Sequence, residues 1–208
     1  MRGEVYAAQK NYQQALTEFD QAIALNPRSG LPWQGRATVR LAQRDYAGAL
    51  ADINQALQLQ PNLSGGLSFR ADIYAHQGDQ ARAMADFASA LAQNPSDAGA
   101  LNGRCYYRGR LGQDLDAGLA DCNAALLLVP NDPAILDSRG FVYFRLGKFD
   151  LAKADYDAAL ATGPRADTLY KRGLLKQKTG DADGGKADIA AALAIDPHAG
   201  DDLAGIAP

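Results

Sequence analysis

Few residues in this sequence could do chemistry. Its 208 residues include two histidines, His76 and His198, and two cysteines, Cys105 and Cys122. A metal centre or histidine-based catalytic site needs such residues clustered with carboxylates at ligand spacing. The histidines are far apart and neither has that company. Residues 180–186, from Gly180 to Lys186, spell G-x-x-x-x-G-K, the beginning of a phosphate-binding loop. That loop needs Ser or Thr next, where this chain has Ala187, and a strand before it. The match is discarded. The sequence predicts no catalytic residue, no metal and no cofactor, so the chain is read as a non-enzyme.

Cys105 and Cys122 fall on what read as two facing helices of one repeat. Two chemistries fit them. They could be small buried thiols that pack as alanine substitutes, or a disulfide formed in an oxidising compartment. The sequence leaves both open, and with them the compartment, cytoplasmic or periplasmic.

A more regular chemistry lies in six arginines: Arg2, Arg36, Arg70, Arg104, Arg139 and Arg172. Sixteen residues after five of them stands an acid: Glu18, Asp52, Asp86, Asp155 and Asp188. Arg104 and Asp121 are seventeen apart. A helical hairpin would bring each acid opposite its arginine. The spacing therefore predicts a ladder of ion pairs that orient helices, and not a row of cations for a phosphorylated ligand.

Elements that could position such a ladder must recur with it, and they do. Pro27, Pro61, Pro95, Pro130, Pro164 and Pro197 recur at intervals of 34, 34, 35, 34 and 33. A period of about 34 residues suits a helix–turn–helix unit stacked on its neighbours, because one unit cannot bury its own apolar face. Small residues at Ala15, Ala49, Ala83, Gly118, Ala152 and Gly185 let the two helices of a unit approach. Bulky Phe19, Ile53, Phe87, Cys122, Tyr156 and Ile189 fill the layer between. Glycines at Gly78, Gly112, Gly147 and Gly180 mark the turns. The extra residue of the fourth unit is placed in the turn Leu111–Asp114, and the missing one between Pro164 and Arg172. Arg40, Arg108 and Lys176 stand in even units where odd units keep Tyr6, Tyr74 and Tyr143, as if a pair of units had been duplicated.

Composition agrees with a folded, helical, weakly acidic chain. The net charge is −3 and 47% of residues are hydrophobic. No polybasic arm suggests nucleic acid, and no run of 18 apolar residues suggests membrane insertion.

The columns Trp33, Gly3, Tyr6, Ala15, Phe19, Ala22 and Pro27, with their equivalents in later units, resemble the tetratricopeptide repeat family across nearly the whole chain. The arginine column departs from it, since the family usually has leucine there. The resemblance implies an all-α fold, a right-handed superhelical solenoid of helix–turn–helix repeats. The expected organisation is a single array over 1–208. Its repeats are 1–29 (truncated), 30–63, 64–97, 98–132, 133–165 and 166–197, with a tail or cap over 198–208. The first repeat opens midway along a helix, which suggests that residues once preceded Met1.

In that family the first helices line a concave face that takes peptides or partner helices. Carried over by alignment, the groove residues are Gln34, Thr38 and Leu41; Phe69, Asp72 and His76; Asn102, Tyr106 and Arg110; Phe141, Phe144 and Arg145; and Tyr170, Lys171 and Lys178. Aromatics interleaved with cations in the C-terminal half suit a peptide carrying acidic and apolar groups. The family's clamp for acidic chaperone tails is not matched, since Gln34, Thr38, Phe69, Gly99 and Gly103 occupy its columns. The expected function is a non-enzymatic protein–protein interaction scaffold. Two alternatives are a self-associating assembler, hence a homo-oligomer, and the regulatory or targeting part of a larger enzyme.

Overall fold

Residues 2–203 are described by a computed structural model of the chain, and within them twelve α-helices follow one another without a strand. They are α1 (Arg2–Ala8), α2 (Tyr12–Leu25), α3 (Gly30–Ala42), α4 (Tyr46–Leu59), α5 (Gly66–His76) and α6 (Gln80–Gln93), then α7 (Ala98–Leu111), α8 (Leu115–Leu128), α9 (Pro133–Arg145), α10 (Phe149–Leu160), α11 (Ala166–Lys178) and α12 (Ala182–Ile195). A short 3-10 turn covers Asp201–Leu203. The helices form two compact units, one ending at Pro95 and one beginning at Ser96. Each unit is a stack of antiparallel helix pairs.

Local chemistry explains where the helices begin. Asn11, Asp45, Asp79 and Asp181 cap α2, α4, α6 and α12, each accepting a backbone N–H from three residues on. Such a side chain satisfies a donor that the first turn leaves without an intrahelical acceptor. The residue before each of these caps has positive φ: Lys10, Arg44, Gly78 and Gly180. The glycines predicted as turns, Gly78, Gly112, Gly147 and Gly180, all adopt that conformation, which costs glycine no steric strain.

Both irregular spacings can be followed. In the fourth repeat the turn runs Gly112–Gln113–Asp114, and both Gly112 and Asp114 are left-handed. The inserted residue is absorbed there, as expected. In the fifth repeat the change is spread more widely than the sequence suggested. The second helices of the other repeats end two residues before the proline, whereas α10 stops at Leu160, four before Pro164. Its connection bends at Gly163, φ 139°.

Within each hairpin the small columns are fully buried: Ala15, Ala49, Ala83 and Ala152 are 0% exposed, as are Ile53, Phe87 and Tyr156 from the bulky column. Gly3 and Gly35 sit against the ring of Phe19, where any Cβ would collide with it. In the fourth repeat Cys105 of α7 and Cys122 of α8 are joined by a disulfide, their Cα atoms 5.6 Å apart. The disulfide reading is the one the fold supports.

Candidate partner-binding groove

The arginine ladder fixes how the helices present their faces. Arg36 donates Nε and Nη2 to the two oxygens of Asp52, at 2.8 and 2.6 Å. Arg70 grips Asp86 in the same forked manner, Arg139 grips Asp155, and Arg172 grips Asp188. Arg104 does so with Asp121 across its longer spacing. Five of the six expected pairs form. Among the described residues Arg2, exposed on the short α1, makes no such pair with Glu18.

Two features of the ladder were not foreseen. First, Nη1 of four arginines reaches back to the second helix of the preceding repeat: Arg36 to Asp20, Arg70 to Asn54, Arg139 to Asn123 and Arg172 to Asp157. Each arginine therefore ties its own hairpin to its neighbour. Second, the basic residues of the even repeats land on the same carboxylate. Arg40 meets Asp52 at 2.9 Å, Arg108 meets Asp121 at 2.5 Å and Lys176 meets Asp188 at 2.9 Å. Burial pulls the Asp188 carboxyl up, but hydrogen bonds from Arg172 and Lys176 carry it below the usual carboxylate value. In odd repeats the tyrosine at that place lies beneath the arginine: Arg70 over Tyr74 and Arg139 over Tyr143, both at 5.8 Å. The ladder thus has its own acids, which removes it as a ligand site.

In the first unit the candidate residues divide. Gln34 and Thr38 of α3 line an open cleft of about 350 Å³ with Glu4, Ala7, Phe19, Leu31 and Gly35. Gln34 also donates to the Ser64 carbonyl at 3.4 Å. Leu41 and Phe69 pack, half-buried, onto the cluster around Ile53 and Ile73. His76 stacks on Tyr46 with ring centroids 5.5 Å apart. Asp72 of α5 is half-buried, and desolvation pushes its carboxyl up from 3.8 to about 7.

In the second unit Tyr106 and Arg110 of α7, Phe141 and Phe144 of α9, and Tyr170 of α11 surround one feature, the chain's own segment from Ala199 to Leu203. Leu203 is buried with Phe141, Phe144, Tyr156 and Leu175, and Tyr106 and Tyr170 pack against that cluster. The Tyr106 hydroxyl donates to the Asp202 carboxylate, and Arg110 Nε donates to the Asp202 carbonyl at 3.1 Å. Burial first, then Asp202, raises the Tyr106 phenol well above its ordinary value. Gly200, with φ 85°, lies so close to the Tyr170 ring that a Cβ would overlap it. Ala199 packs with Leu169 and Ala192.

Two cations drawn into this set by the sequence have structural employment. Lys171 is only 5% exposed and pairs with buried Asp137 at 2.5 Å, its ammonium 4.9 Å above the Tyr106 ring. Arg145 donates to the carbonyls of Gly109 and Arg110, at 2.9 and 3.2 Å, and so caps the C-terminal end of α7. Phe141 is core, 2% exposed. Lys178 is exposed in the last turn of α11, and Asn102 is half-buried on α7. Asp202 and Leu203 escaped the sequence reading as site residues, because residues 198–208 read only as a tail or cap. The available signal was complementarity: an acid followed by leucine, in a chain whose facing helices offer tyrosines, phenylalanines and arginine.

Comparison with known proteins accords with this architecture. Tetratricopeptide repeat models match residues 1–29, 35–98 and 134–162, more than half of the chain. The chain belongs to the tetratricopeptide repeat family. Among solved structures, this tetratricopeptide repeat protein is similar to one from Parabacteroides merdae, with 22% identity and a TM-score of 0.76 over 93% of this chain and 76% of that one. It is similar to PilW, a widely conserved type IV pilus biogenesis factor, with 18% identity and a TM-score of 0.74 over 99% and 95% of the two chains. A thermophilic tetratricopeptide repeat protein in Thermus thermophilus matches with 22% identity and a TM-score of 0.74, over 85% and 96%. At these identities the likeness is one of fold. No curated protein matches the sequence. Among the described residues no helix is long and apolar enough to cross a membrane.

Proposed function

We propose that this chain is a non-enzymatic scaffold whose first helices bind an extended or helical segment of a partner protein. Repeats of this family serve as protein–protein interaction modules. The finer reading rests on one observation: the first helices of the second unit already hold a peptide segment, residues 199–203, through an acid on Tyr106, a backbone carbonyl on Arg110 and a leucine in an aromatic cluster. A surface that accommodates such a segment has the chemistry to accept another. Gln34 and Thr38 extend the reading to the open cleft of the first unit.

Selection of displayed random heptapeptides on the purified chain tests this. Enrichment of peptides pairing an acid with an aliphatic residue, lost when the same pool is offered to Arg110→Glu, supports the proposal. Enrichment indifferent to Arg110→Glu, or no enrichment on the wild type and on Leu203→Ala alike, overturns it for the second unit.

A further inference from the structure

The contacts of residues 199–203 are those of a ligand more than those of a helix cap. Asp201–Leu203 forms a single 3-10 turn. Its local bonds are Ala199 N to Asp196 O at 3.0 Å, Asp201 N to His198 O at 3.1 Å, Leu203 N to Gly200 O at 2.9 Å, and the Asp201 carboxylate with the His198 ring Nδ1 at 3.0 Å. Asp202 and Leu203 attach outward to the helices, Asp202 to Tyr106 and Arg110, and Leu203 into the cluster of Phe141, Phe144 and Leu175. The segment follows α12 through Pro197, so it can leave without unwinding a helix. Beside the Asp202 side chain, Arg110 holds the segment by a backbone carbonyl, a group any peptide carries.

We propose that Ala199–Leu203 is a displaceable internal occupant of the second unit, and that the partner is a segment presenting aspartate followed by leucine that takes its place on Tyr106, Arg110 and the Phe141–Phe144 cluster. The inference rests on the binding role proposed above and adds to it the ligand's chemistry and a built-in competitor. A tethered segment competes at an effective concentration in the millimolar range. A partner at ordinary concentration therefore opens the site only if its affinity exceeds the segment's own by about the ratio of that effective concentration to the partner's. The occupant thereby sets a threshold without contributing to any partner's own contacts.

The test uses a fluorescently labelled, terminally blocked peptide of residues 197–203 and fluorescence anisotropy. It is titrated with the full wild-type chain and with an Asp202→Ala/Leu203→Ala variant whose helicity is checked by circular dichroism. The variant is expected to bind the peptide at least ten-fold more tightly than the wild type. Adding Arg110→Glu should remove that binding, and a peptide with both aspartates changed to asparagine should bind at least ten-fold more weakly. Equal affinity for wild type and variant overturns the displaceable occupant and leaves the binding role standing. No binding to a folded variant overturns the ligand chemistry and, with it, the binding role of this surface. Should the double variant lose helicity, the single Asp202→Asn variant decides with the leucine retained: a gain of about three-fold supports the inference, and no gain overturns it.

Discussion

The hydroxyl of Tyr106 donates to the carboxylate of Asp202, 96 residues further along the chain. Tyr106→Phe removes that donor and leaves the aromatic packing intact. A net cost of about 1 kcal/mol is expected, confined to the attachment of residues 199–203. Hydrogen exchange at the Leu203 amide should quicken several-fold, while exchange in α7 stays as it was. Unchanged exchange at Leu203 would show that the bond does not hold the segment.

The ladder predicts unequal penalties. Arg139→Ala leaves Asp155, 6% exposed, with no other cation on it among the described residues. Arg104→Ala leaves Asp121 still paired with Arg108. Stranding a buried carboxylate costs about 3 kcal/mol, more than weakening a shared one. Urea unfolding should therefore place Arg139→Ala well below Arg104→Ala. Replacing Arg139 and Asp155 together with leucines should recover much of the loss.

The disulfide between Cys105 and Cys122 closes a loop of separation 17. A cross-link of that size contributes about 3 kcal/mol by restricting the unfolded chain. Thermal unfolding of the wild type should fall by several degrees in reductant, while Cys105→Ala/Cys122→Ala should melt lower and ignore the reductant. Equal melting with and without reductant would refute this.

Asp72 gives the first unit one component of its pH response. Desolvation pushes its carboxyl from 3.8 up to about 7. Between those values the folded chain keeps a proton that the unfolded chain has released, so stability falls as pH rises through this window and levels off above about 7. Asp72→Asn should flatten this trend and stabilise the chain at pH 8 by an amount of the order of 1 kcal/mol, modest because water still reaches the half-buried side chain. A variant with the same pH profile as the wild type would exclude Asp72 as its source.

Lys10 holds φ at 58° before the α2 cap, where the third, fifth and sixth repeats place Gly78, Gly147 and Gly180. Lys10→Gly should raise stability by about 0.5–1 kcal/mol, since left-handed backbone is unfavourable for a residue with a Cβ. Calorimetry of the variant checks it; a lowered melting temperature would contradict it.

Much of this architecture was legible because periodicity is a property of the chain. The prolines, the alanine columns and the arginine–acid spacings are enough to locate helices, turns and five ion pairs. The inserted residue at Gly112–Asp114 was legible too, because a turn absorbs length without disturbing packing columns. What could not be read was whatever depends on two repeats at once. The backward bonds of Arg36 to Asp20 and Arg172 to Asp157 need the relative position of neighbouring hairpins. Arg145 looks like a free cation until α7 ends beside it. Asp202 and Leu203 belong to no repeat, so no column announced them, and only their contacts reveal that the aromatic–basic face is already in use.

The backward reach of the arginines also bears on how the stack comes apart. A repeat array behaves approximately as a chain of units, each with an intrinsic stability and a coupling to its neighbours. Here part of that coupling is ionic, carried by Arg36 to Asp20 and by Arg172 to Asp157. Burial raises the Asp157 carboxyl, yet hydrogen bonds from Lys153 and Arg172 hold it below its ordinary value. Its contribution is present above about pH 4 and is lost as the pH drops through that lowered value. Acid should therefore shorten the cooperativity length of the array as well as lower its midpoint, and the melting transition should broaden as the repeats begin to open separately.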